Sequence, residues 1–343
     1  MYPKFDASCV DWFSAFRRLG LHEDFLNKPT VSKPCPLHPS NGSTKFRFLK
    51  PIDRGRWVCN DCGIFGPVDL LMKMHGWDFK TTMRELEGMG VISPTRITHQ
   101  ETPAEAAKAA AKVKRDFDQM KRWWRQSAPI ESTNNAARHY LERRITDVQL
   151  DGLGAELRCH PRMPYFEAQD KKRKAPDYFP ALLGLFRDAA GNIKMMHRIY
   201  VTPDGLKAPV AEQKKMFCPR WVNGCAIRIG QQKDSPVIGV AEGIEKAIAI
   251  YRACGEKMPI WAAGTAHGVE TLEVPLGIER VHIFADHNLP TEQHPKGRGQ
   301  HAAEKLRSRL VDRGIEVIVH VAKTVNGDHE DDWNLLAAQK RVA

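Results

Sequence analysis

Long hydrophobic runs are missing from this chain. No apolar stretch of its 343 residues approaches the roughly 20 that a membrane-spanning helix needs, which excludes an integral helical membrane protein. Cysteine is too sparse for a secreted disulfide scaffold, with eight thiols spread over positions 9, 35, 59, 62, 159, 218, 225 and 254. No Gly-x4-Gly-Lys-Ser/Thr loop occurs, so these residues hold no P-loop motor. The segment from Met1 to Asp6 lacks the basic and apolar regions of a secretion signal, and a cytoplasmic protein is expected. Hydrophobic usage of 42% beside 27% charged residues excludes wholesale disorder.

What is present is charge, unevenly placed. Lysine and arginine number 52 against 41 acids, a net +11. Residues 1–130 carry 21 basic and 14 acidic side chains and residues 131–235 carry 18 and 12, whereas residues 236–343 carry 13 and 15. A basic front and an acidic back point to a polyanion held by one part and cation-dependent chemistry in the other.

Composition shifts divide the chain. Residues 1–92 read as short strands and turns flanked by helices, with a helical pattern from Pro67 to about Met89. Residues 93–114 contain two proline breaks and an Ala/Lys tract, and read as a linker. Residues 115–235 form a basic region, helical to about 150 and then strand-rich, with turns at 189–192 and 203–205. From 236 to 343, apolar strands at 236–242, 259–263, 280–286 and 315–321 alternate with helices at 244–254 and 301–313, the rhythm of a parallel sheet. Ligands in such sheets sit at the carboxyl ends of strands, where Glu242 and Asp286 fall.

Cys35-Pro-Leu-His38 and Cys59-Asn-Asp-Cys62 are two tight knuckles separated by 20 residues. Three thiolates and an imidazole make a closed tetrahedral set for structural Zn²⁺. Between them, Lys45, Arg47 and Trp57 interleave cations with aromatics, as a surface that stacks bases and holds phosphates does; the alternative for Trp57 is the ribbon's own small core. The Cys-Pro-x-His-Pro, Trp-x-Cys-x-x-Cys-Gly and Gly-x-Val-Asp-Leu-Leu segments resemble the zinc ribbon of bacterial (DnaG-type) and phage primases over residues 35–88.

Val240-Ala-Glu-Gly-Ile-Glu245 and Phe284-Ala-Asp-His-Asn288 resemble the two signatures of the Toprim domain, shared by DnaG-type primases, topoisomerases and some nucleases. The resemblance implies a mixed α/β chain: a small zinc ribbon plus an α+β primase core containing a Rossmann-like parallel-sheet Toprim domain. It further implies that Glu242, Asp286 and Asp332 carry catalysis, and that Asn288 and Asn334 join them around Mg²⁺ or Mn²⁺. This chain departs from the family pattern in reading Asp286-His-Asn288 and Asp332-Trp-Asn334, and in placing Lys246 where DnaG-type enzymes have an acid. The two amides imply a weaker hold on metal, with His287 as a possible additional donor.

The middle region resembles segments that precede the Toprim domain in plasmid and phage primases, which makes Arg143, Arg144, Arg198 and Lys207 candidate template or nucleotide contacts. Lys296 and Arg298, in an expanded loop, are candidate triphosphate ligands, and Lys171 to Lys174 a weaker phosphate clamp. Surface charge explains each of these equally well. The expected function is synthesis of short RNA primers on single-stranded DNA from ribonucleoside triphosphates, for a phage, plasmid or other mobile element, with a replicative helicase acting in trans and no membrane partner. Two other classes stay open: a Toprim-type nuclease or topoisomerase-like strand breaker, for which none of the six tyrosines sits in a recognisable site, and a non-catalytic nucleic-acid-binding module.

Overall fold

A computed structural model describes residues 9–38, 46–50, 52–59, 62–92, 103–132, 135–167, 175–219, 222–230, 235–291 and 294–342. The chain divides into two compact units, residues 1–106 and 107–343.

Among the described residues, the first unit packs four short α-helices on a three-stranded ribbon. The helices are α1 (Trp12–Arg18), α2 (Glu23–Asn27), α3 (Pro67–His75) and α4 (Phe79–Gly88); the antiparallel strands are β1 (Phe46–Phe48), β2 (Trp57–Cys59) and β3 (Gly63–Phe65). Alternation along β1 and β2 buries Phe46, Phe48, Trp57 and Cys59 on one face. The core continues through Trp12, Phe16, Leu70, Leu71 and Leu86. Asp11 and Asp78 cap α1 and α4 by accepting from Ser14 N and Thr81 N. Gly55, at φ +59°, lets the chain pass under Trp12: a Cβ there would lie 2.8 Å from the indole Cγ.

The second unit holds two five-stranded sheets. The first is antiparallel, in the order β4 (Ala128–Pro129), β5 (Leu157–Tyr165), β6 (Asp177–Arg187), β7 (Ile193–Tyr200), β8 (Lys214–Phe217), with helices α5 (Pro103–Arg125) and α6 (Ala136–Arg144). Asp188 Oδ1 closes the β6–β7 turn by accepting from Asn192 N at 2.8 Å. Gly205, at φ +84°, makes the turn after β7, where a Cβ would meet the α6 backbone at 2.5 Å. The continuous helical reading of 115–150 breaks at Ser127 and Pro129, because proline cannot continue the ladder and the chain enters β4 instead.

The second sheet runs β13 (Glu316–Val321), β12 (Arg280–Ala285), β10 (Val237–Ala241), β11 (Ile260–Ala262), β9 (Ile227–Ile229). Four strands are parallel, and β9 closes one edge antiparallel to β11. Helix α7 (Ile244–Ala253) buries Ile244, Ala247 and Ile248 against one face. On the other, α8 (Ala266–Thr271) and α9 (Arg298–Val311) set Val269, Ala302, Ala303 and Leu306 on Val281 and Ile283. Helix α10 (His329–Val342) follows β13. Strand β9 lies before position 235, so the composition shift there does not mark the edge of this sheet. A three-residue strand carries too short an alternation to be seen in the sequence.

Candidate active site

The four knuckle residues converge. One donor atom from each of Cys35, His38, Cys59 and Cys62 lies within 4.8 Å of the others. Cys35 Sγ and Cys62 Sγ are 3.9 Å apart, and Cys59 Sγ is 3.5 Å from His38 Nε2. A tetrahedron with metal–sulfur bonds of about 2.3 Å has edges of about 3.8 Å, so the set could hold a metal such as zinc. Burial, with the neighbouring thiols, pushes the Cys62 thiol up to about 12. Crowded thiols of this kind ionise readily only around a cation.

The carboxylates gather at the carboxyl edge of the parallel sheet. Glu242 directly follows β10 and Asp286 directly follows β12, and both border one small cavity of about 10 Å³ beneath α8 and α9. Lys246, one helical turn beyond Glu242 on α7, points its ammonium at Asp286: Nζ lies 2.8 Å from Oδ1 and 2.6 Å from Oδ2. The same Nζ is 3.8 Å from Asp328 Oδ2. Burial raises the carboxyls of Glu242 and Asp328, and Lys246 opposes that in both. Burial also works against the Lys246 charge, but the surrounding Glu242, Asp286 and Asp328 carboxylates more than compensate and hold it above its ordinary value. The cluster is therefore three carboxylates around one ammonium.

Asp328 was not legible as a member. It sits between β13 and α10, four residues before the Asp332 that motif spacing selects. Its Oδ1 accepts from Glu330 N and Asp331 N, capping α10, while Asp331 Oδ2 reciprocates on Asp328 N. That arrangement leaves Asp328 Oδ2 toward Lys246. Asp332 instead accepts from Lys323 N, Thr324 N and Thr324 Oγ1 at 2.8, 3.0 and 2.8 Å, bracing the turn after β13. Asn334 bonds Thr146 N and Arg144 O. Asn288 Oδ1 accepts from Gly299 N at 2.7 Å, at the start of α9, and His287 Nδ1 contacts Ala322 O. Both amides bond backbone groups.

A second polar set lies behind it. Glu245, 3% exposed, accepts from Tyr140 Oη at 2.7 Å and Lys214 Nζ at 2.8 Å, which ties α7 to α6 and β8. Burial works to raise this carboxyl, yet Lys214 and the hydrogen bonds outweigh it and hold it at about 2. Arg144 pairs with Glu330 at 2.7 Å. Burial pushes Glu330 up to about 7, against the pull of Arg144, and burial drives His197 down to about 4.

The basic candidates scatter. Trp57 needs correction: it is fully buried, stacked on Phe46 with its Nε1 donating to Gly66 O, so it cannot stack on a base. Arg47 faces away from that core, and Lys45 lies outside the described residues, as do Lys171 to Lys174. Arg143 donates to Asp204 O, beside an open cleft of about 700 Å³ that also takes in His139, Glu142 and Pro203. Arg298 pairs with Glu270 at 2.5 Å. Arg198 sits among the rings of Trp123, Tyr200 and Phe217 at 5.6, 5.8 and 5.6 Å, and its Nε has no partner among the described residues. Lys207 and Lys296 are exposed and make no ion pair among the described residues.

Among solved structures, the primase fragment of the bacteriophage T7 primase-helicase aligns at 13% identity and TM-score 0.32, covering 48% of this chain and 63% of that one. The chain thus spans less than two thirds of that fragment. A DNA primase domain from Pseudomonas aeruginosa aligns at 15% identity and TM-score 0.38, over 61% and 71% of the two chains. A DnaG catalytic core aligns at 12% and 0.41, over 67% and 79%. Comparison with curated proteins finds no match. Residues 114–229 match a domain of unknown function (DUF7146). Residues 237–341 match the family model of the Toprim domain, and they hold β10 to β13, Glu242, Lys246, Asp286 and Asp328, so the parallel sheet and its acidic edge are a Toprim domain.

Proposed function

We propose that this protein is a metal-dependent DNA primase that joins ribonucleotides into short primers on single-stranded DNA. The observation that carries the reading is the convergence of Glu242, Asp286 and Asp328 at the edge of a Toprim sheet, in a chain that also holds a Cys₃His knuckle set. Carboxylates are the hard oxygen donors that Mg²⁺ and Mn²⁺ take, and these three would hold such an ion. When bound, the ion would supply charge neutralisation for the triphosphate and acidity for the attacking 3′-hydroxyl.

The chain's own residues do the rest. Glu242 and Asp286 are fixed by strand ends, and Asp328 by its cap on α10, so the donors are positioned before substrate arrives. Zinc held by Cys35, His38, Cys59 and Cys62 would fold the ribbon and serve template engagement. Lys207 and Lys296, exposed and without an ion pair among the described residues, and Arg198, whose Nε has no hydrogen-bond partner among them, are candidate groups for template or nucleotide phosphates. The net charge of +13 over residues 1–235 suits a nucleic-acid partner. A helicase would act in trans, and use on a phage, plasmid or other mobile element belongs to the same reading.

The test incubates the full chain with single-stranded DNA, labelled ribonucleotides and Mn²⁺. Primer-length RNA that disappears in Asp286→Ala supports the reading. Nicked DNA would make the protein a strand breaker instead, and neither product would leave a binding module.

A further inference from the structure

We infer that Lys246 is the resident cation of the acidic site, so that the site takes one divalent ion rather than two, and takes it only by displacing the Lys246 ammonium from Asp286. This rests on the metal-site reading above.

Three features carry it. The ammonium contacts both oxygens of Asp286, at 2.8 and 2.6 Å, so a divalent ion drawn to this carboxylate would meet the Lys246 charge at close range and be opposed by it while the pair stands. The pair is shielded, with side chains 12% and 14% exposed, so water does not screen it and displacement has a real cost. The third feature is charge. Glu242, Asp286 and Asp328 sum to −3 and Lys246 returns +1, leaving −2, which one divalent ion neutralises. A second ion would leave the site at +2 before any substrate entered. Without the lysine, the same carboxylates would repel one another and hold metal more tightly.

Mn²⁺ binding to the zinc-loaded full chain, followed by electron paramagnetic resonance without nucleotide, tests this independently of activity. The wild type should bind one Mn²⁺ with modest affinity. Lys246→Met should bind at least ten-fold more tightly and admit a second ion, while Lys246→Arg, which keeps the charge, should behave as the wild type. Circular dichroism checks that each variant is folded. If Lys246→Met leaves affinity and stoichiometry unchanged while Asp286→Asn abolishes binding, the role of Lys246 is overturned and the metal site stands. If Asp286→Asn leaves Mn²⁺ binding intact, the metal site itself is wrong and the inference falls with it.

Discussion

The two cation-seeking sites differ in what holds them together before any ion arrives. In the ribbon, three thiols and an imidazole face one another, and burial raises the thiols of Cys35 and Cys62. The ribbon's small core of aromatics hangs on the knuckles, since Cys59 ends the same strand that begins with Trp57. In the Toprim sheet, the carboxylates already surround an ammonium, and Glu242 and Asp286 directly follow β10 and β12 of a sheet that has helices packed on both faces. On the proposed reading, the first site would need an ion in order to fold and the second an ion in order to act.

The largest expected effect breaks the first half of that contrast. Cys59→Ser, or a strong chelator, should remove on the order of 10 kcal/mol of metal-coupled folding energy from the ribbon. Hydrogen exchange should then show residues 46–65 losing protection while β10 to β13 keep theirs. The next effect is on chemistry. Asp286→Ala should lower primer synthesis by roughly two orders of magnitude with little change in the thermal midpoint of residues 107–343, measured by primer assay beside calorimetry.

How much of this contrast was legible depends on distance along the chain. The knuckle ligands sit in two x₂ pairs, so spacing alone named all four. Glu242 and Asp286 were legible because apolar strands lead straight into them. Asp328 was not, because its approach to Lys246 depends on the turn between β13 and α10, which no periodicity encodes. Asp332 carries the acid that motif spacing selects, but its oxygens go to Lys323 and Thr324. Trp57 failed as a base platform for a related reason: strand alternation fixes which neighbours share a face, and only packing decides which face is buried. The separation of β9 from its own sheet was beyond a three-residue pattern.

A third prediction concerns the buried pair behind the site. Glu245 has its carboxyl depressed from 4.5 to about 2 in the folded chain. A depressed acid contributes stability that is present above its unfolded value and lost as pH falls through its folded one. Between pH 4.5 and 2 that loss should approach about 3 kcal/mol. Glu245→Gln should flatten this acid limb in a pH series of denaturant midpoints, and an unchanged slope would remove Glu245 from the account. The smallest effect is at Asp332. Asp332→Ala should cost about 1–2 kcal/mol through the lost turn bonds, read as a lower thermal midpoint.

The most direct measurement sets Asp328 against Asp332. Primer synthesis by Asp328→Asn and by Asp332→Asn is titrated with Mg²⁺ and Mn²⁺ in parallel with the wild type. A carboxylate that holds the metal should, when neutralised, raise the half-saturating metal concentration about ten-fold or more. The account predicts that rise for Asp328→Asn and a wild-type requirement for Asp332→Asn. The reverse pattern, with Asp332→Asn metal-hungry and Asp328→Asn unchanged, would contradict it.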